Sequence, residues 1–149
     1  MTQDQNKNDL GDSHPICDDD LITALNELLE AERAGARVTL ETANQIIGHD
    51  LAPLVIDIQH DEVRWCKMLL GVIRSLGASP STATGGFYEK AIAIEDLKER
   101  LLFINRGQSW VVRRLEKLIP RIQDSHIRFQ LQEMLDMHVL NVTRVNESI

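Results

Sequence analysis

GASPSTATGGFYEKA, residues 77–91, separates two pairs of long segments whose apolar residues recur at helical spacing. Its glycines, serines and threonines, with Pro80 among them, read as a loop and not as a strand. A turn between antiparallel helices needs only a few residues. About 15 extended residues at ~3.3 Å each can instead travel the length of a helix of ~26 residues at 1.5 Å each. The helices on either side of this stretch are therefore expected to run parallel. The fold that follows is all-α: a four-helix bundle made of two antiparallel hairpins joined by a long crossover.

Outward from the crossover, each boundary has a local cause. Asp18, Asp19 and Asp20 place carboxylates at the positive end of a first helix that runs to about Ile47, where Gly48 supplies a stop. Asp50 is the expected N-cap of a second helix, in which Pro53 is tolerable because it falls in the first turn, and Gly77 follows its end at Leu76. The third helix is read over about Ile92 to Ile122, with Pro120 expected to kink or end it. Asp124 and Ser125 open a fourth that runs to about Val145. Before all of these, residues 1–17 hold little large apolar surface beyond Leu10 and Ile16, so a disordered tail is expected at 1–17 and the bundle at 18–149.

Composition sets limits on function. A chain of 149 residues, 43% hydrophobic, suffices for one filled core and is short for two. Sixteen Lys plus Arg against 23 Asp plus Glu give a net charge of -7, which argues against nucleic acid or an anionic lipid surface as partner. No stretch approaches the ~20 apolar residues of a membrane span. Cys17 and Cys66 form no disulfide framework and no paired metal clip, which with the absence of an apolar leader makes the cytoplasm the expected location.

The apolar stripes carry the most informative pattern. Leu21, Leu25, Leu28, Gly35 and Thr39 line the first helix around Glu32; Val55, Ile58, Trp65 and Leu69 line the second around Glu62. Leu101, Ile104, Val111 and Leu115 line the third around Gln108; Ile127, Leu131, Met134 and Val142 line the fourth around His138. Each seam thus has one polar interruption. Counted from the turns near His49 and Asp124, Glu32 and Glu62 differ in height by ~6 Å, and Gln108 and His138 by ~3 Å. Two carboxylates, an amide and an imidazole therefore share one level of the bundle. Either they bond one another without a metal, or they hold one.

Here the chain resembles the ferritin-like superfamily that includes bacterioferritin and rubrerythrin. LNELLEAERAGA, residues 25–36, is similar to the first helix of bacterioferritins, and Asp61-Glu62-Val63-Arg64-Trp65 to the Asp-Glu-x-x-His stretch of rubrerythrins. The resemblance implies a bundle with a long crossover and two irons held by a Glu on the first and third helices and a Glu-x-x-His on the second and fourth. This sequence keeps Glu32, Glu62 and His138. It departs at Trp65 for the His, at Gln108 or Asn105 for the third-helix Glu, and at Leu135 for the fourth-helix Glu. The site is thereby read as a degenerate di-iron site that retains a two-carboxylate, one-imidazole ligand set for a single Fe, Mn or Zn ion. The resemblance also implies a homodimer through the first two helices. Three functions remain open: a bundle with one metal or none, a non-haem iron oxidoreductase, and a metal-free dimeric scaffold.

Other candidates are expected to be structural. Asp57 and His60 lie off the seam and read as solvated. His14 and Cys17 lack a second ligand pair and a rigid frame, and Cys66 lacks a helix start or a base that would activate it. Phe87 and Tyr88 either latch the crossover to the bundle or meet a second subunit.

Overall fold

The computed structural model describes residues 14–149, so the tail expected at 1–17 lies mostly outside the described residues. Five α-helices follow: α1 Asp18–Gln45, α2 Ala52–Ser75, α3 Phe87–Ile92, α4 Leu97–Leu118 and α5 Ser125–Ser148, with a 3-10 turn at Ile119–Arg121. No strand occurs among the described residues. The four long helices form the bundle. Residues 14–16 lie along the 3-10 turn, where the Ile16 amide donates to the Arg121 carbonyl at 3.0 Å and Arg121 Nε donates to the His14 carbonyl at 3.1 Å.

Polar contacts between helices fix their directions. Along α2, Asp57, Asp61 and Arg64 meet Arg144, Asn141 and Glu133 of α5, so one number rises as the other falls and the pair is antiparallel. Glu27 pairs with Arg114, while Thr42 and Gln45 accept from Arg100, which makes α1 and α4 antiparallel too. Because α1 and α2 form a hairpin, α2 and α4 run parallel, as the length of the crossover requires. The crossover itself lies along α1. Ser81 bonds Asn26 and Glu30, Arg33 donates to the Ser81 and Ala83 carbonyls, and Tyr88 donates to Glu41 with Arg37 over its ring at 4.1 Å.

The crossover contains more order than its composition suggests. Phe87–Ile92 winds into α3 because Phe87 stacks on Phe103 of α4 at 4.9 Å between ring centroids, burying an apolar side that a free loop would expose. The latch reading of Phe87 and Tyr88 is the one observed. Consequently α4 begins at Leu97 and not near Ile92, with Asp96 as a true N-cap accepting from the Glu99 amide. The start of α2 differs as well: Leu51, not Asp50, is its N-cap, and the Leu51 amide donates to His49 Nδ1. Pro120 lies within the 3-10 turn that ends α4.

The core is divided into two apolar clusters. One contains Leu25, Leu28, Trp65, Leu69, Leu115 and Leu131; the other contains Val38, Val55, Ile58, Leu101, Ile104 and Val145. On every long helix the break between clusters falls at the polar interruption of the seam: at Glu32, Glu62, Gln108 and His138. Each large side chain buried in these clusters contributes roughly 1.5–3 kcal/mol. The polar layer between them stands in an environment where an unpaired charge is costly.

Candidate metal centre

The four interrupting residues are all buried, with exposures of 1% for Glu32, 4% for Glu62, 4% for Gln108 and 2% for His138. Three of them converge. Glu32, Glu62 and His138 each place one ligand atom within 4.8 Å of the other two. His138 Nδ1 lies 2.8 Å from the Met134 carbonyl one turn before it on α5. Donation from Nδ1 to that carbonyl turns Nε2 toward the carboxylates, the arrangement in which a second contact sets the tautomer of a metal-binding histidine. Nε2 sits 2.7 Å from Glu32 Oε1, a buried ion pair within hydrogen-bond distance when the imidazole is protonated.

Charge is poorly balanced in this layer. Burial by itself would lower the His138 pKa, but the Glu32 carboxylate beside it, the Met134 carbonyl and the more distant Asp61 outweigh burial and raise it. If both carboxyls are ionised, even a protonated imidazole offsets only one of them. No lysine or arginine among the described residues is bonded to Glu32 or Glu62. Oε2 of Glu32 and both polar atoms of the Gln108 amide are buried without a hydrogen-bond partner in the protein. Such groups are rare in folded proteins and are completed by ordered water, an ion or a ligand.

Glycine makes room for the second carboxylate. A Cβ added at Gly35 would lie 3.0 Å from the Glu62 carboxyl carbon, so the bare backbone of α1 is what allows that carboxylate to turn inward. The residues present fit one ion and not two. Trp65, where the resemblance requires a histidine, is buried in the larger apolar cluster, with its indole Nε1 unpartnered, and Leu135 packs against the same cluster. Asn105 turns out to be a tie between helices, donating from Nδ2 to the Val142 carbonyl at 3.2 Å and to Asn146 at 3.0 Å. Gln108 is therefore the α4 residue of the layer.

A cavity of about 620 Å³ opens beside these groups, between α1 and α4 and under residues 84–87 of the crossover. Glu32, Glu62 and Gln108 form its buried end, and exposed Arg106, Trp110 and Arg113 its mouth. Sequence reasoning missed this space, since it arises from how residues 84–87 cross over α1 and α4. It also missed Asn141, buried at 2%, which donates to Asp61 at 2.9 Å behind the layer. Its position three residues after His138, on the same helical face, was the available signal.

His60 is exposed and Asp57 pairs with Arg144 at the surface, away from the layer. Cys17 is exposed, and the half-buried Cys66 thiol is pushed up to about 11, first by burial and then by the Glu32 charge, with Arg33 opposing.

Comparison with known proteins agrees with this fold. A family model described as a domain of unknown function (DUF6306) matches residues 19–147. The chain belongs to this family. Among solved structures it is similar to a protein from Bacillus anthracis str. Ames described as a ferritin like, diiron-carboxylate protein, with a TM-score of 0.78 and 20% identity over 87% of this chain and 95% of that one. At that identity the likeness establishes the fold, which is ferritin-like. No curated protein matches the sequence. No helix among the described residues is long and apolar enough to cross a membrane.

Proposed function

We propose that this chain binds one divalent transition-metal ion, Fe(II), Mn(II) or Zn(II), through Glu32, Glu62 and His138. The observation that carries the reading is the convergence of three buried ligand atoms within 4.8 Å, in a layer whose two carboxylates have no paired lysine or arginine among the described residues. The ferritin-like fold supports it, as does the description of the Bacillus anthracis neighbour as a diiron-carboxylate protein. In this role Glu32 and Glu62 are the anionic ligands and His138 the neutral one, held by Met134. A bound ion supplies Lewis acidity and, if iron or manganese, a change of oxidation state. The test is elemental analysis of protein purified without a His tag, after anaerobic reconstitution. One equivalent of metal is expected, lost in His138→Ala and Glu62→Gln and kept in His60→Ala; no bound metal in the unsubstituted chain overturns the reading in favour of a metal-free scaffold.

The cavity beside the carboxylates favours a second, narrower reading, a non-haem iron oxidoreductase, because a closed structural site needs no adjoining space. Its test is oxygen consumption with Fe(II)-loaded protein: a rate no faster than that of free iron removes it. The homodimer is proposed on the α1–α2 hairpin, where Leu40, Ile47 and Ile56 are 51%, 85% and 41% exposed. Sedimentation equilibrium giving a monomer mass at micromolar concentration would exclude it.

A further inference from the structure

The 620 Å³ cavity lies within the ~300–1,000 Å³ range of pockets that hold a small organic molecule. Glu27, Glu30 and Thr84 add polar groups to the lining, with Glu27 already paired to Arg114 and Glu30 to Ser81. Ala31, Phe87, Phe103, Ile104 and Val111 supply apolar wall, which suits an apolar body. At the buried end the Gln108 carboxamide is unpartnered at both Nε2 and Oε1. That amide can donate and accept at once, so a single group that satisfies it must do both.

Charge selects further. With one divalent ion on Glu32, Glu62 and a neutral His138, formal charges at the buried end cancel. An anionic head group would bring an uncompensated charge into a dry site, and a cationic one would meet the ion. We propose that the cavity binds a small neutral molecule with an apolar body and a head group that donates and accepts, of the carboxamide type, placed on Gln108 beside the metal layer. The choice of a neutral head rests on the metal reading above; the pocket and the role of Gln108 do not.

Isothermal titration of the Zn(II)-loaded chain with octanamide, octanoate and octylamine tests this, with the zinc content of the same sample measured first. Octanamide is expected to bind at least tenfold more tightly than either ion. Gln108→Leu should weaken it at least tenfold, the loss of two buried hydrogen bonds, and erase the preference. Ala31→Phe fills the cavity from α1 and should abolish binding of all three while zinc content and far-UV circular dichroism stay unchanged. On zinc-loaded protein, octanamide binding no better than the ions overturns the head-group assignment, and binding that survives Ala31→Phe overturns the pocket. A chain that takes up no zinc fails the metal reading before any ligand is added. On that chain a preference for octylamine overturns the neutral head, whereas a preference for octanamide lost in Gln108→Leu sustains it without the ion.

Discussion

Gly35 and Glu62 face each other across α1 and α2 so closely that a single methyl group at position 35 would stand 3.0 Å from the Glu62 carboxyl carbon and from Oε2. The group it would meet is the far end of a flexible side chain, so the fold can yield by turning that carboxylate away. Gly35→Ala should therefore separate stability from binding. Alanine in mid-helix gains about 0.5–1 kcal/mol over glycine, which offsets the crowding. The expected outcome is a midpoint of urea denaturation unchanged or raised in the metal-free protein, with zinc affinity reduced at least tenfold by competition titration. Equal affinity for the variant and the parent chain would show that Glu62 does not hold the ion.

Removal of metal should destabilise the bundle by linkage alone. An ion at 100 times its dissociation constant adds about 2.7 kcal/mol, which for a chain of this size is a shift of roughly 5–10 °C in melting temperature. Chelation should reverse the shift in the parent chain, and His138→Ala should show none. An identical zinc-induced shift in His138→Ala would place the ion elsewhere.

Gly107 holds the crossover in place by a similar absence. A Cβ there would lie 2.8 Å from two ring carbons of Phe87, whose stacking on Phe103 seats α3. Gly107→Ala should displace α3 at a cost of about 1–3 kcal/mol. Faster proteolytic cleavage near Thr84 to Gly86, with the bundle core still protected from hydrogen exchange, is the expected sign. Cleavage at the parent rate would mean that Phe87 finds another seat.

Cys66 gives a pH dependence of known sign. Its thiol is raised from an ordinary 9.0 to about 11 in the folded chain, chiefly by burial, so folding favours the neutral form. Its contribution to stability is whole below about pH 9 and is lost as pH climbs toward 11. At pH 8 only about one Cys66 in a thousand is the reactive thiolate. Iodoacetamide should therefore modify exposed Cys17 and spare Cys66 until denaturant is added, as read by peptide mass spectrometry.

Periodicity alone determined a good deal. The apolar spacing of α1, α2, α4 and α5, broken once in each by Glu32, Glu62, Gln108 and His138, is a local property of the chain, and the length of residues 77–91 decides the direction of α4 by chain reach. Both follow from rise per residue and from side-chain direction on a helix, which neighbours cannot alter much. The helix in the crossover was not legible, because six residues gain their helical form from packing against Phe103 and not from their own propensity. Nor was the separation of Gln108 from Asn105, since both are buried and only the rotation of α4 against α5 sends one to the layer and the other to Val142 and Asn146. The contact of His138 Nε2 with Glu32, the space that Gly35 leaves for Glu62 and the cavity under the crossover belong to the tertiary structure. They depend on gaps and orientations between helices distant in sequence, which spacing along one helix does not encode.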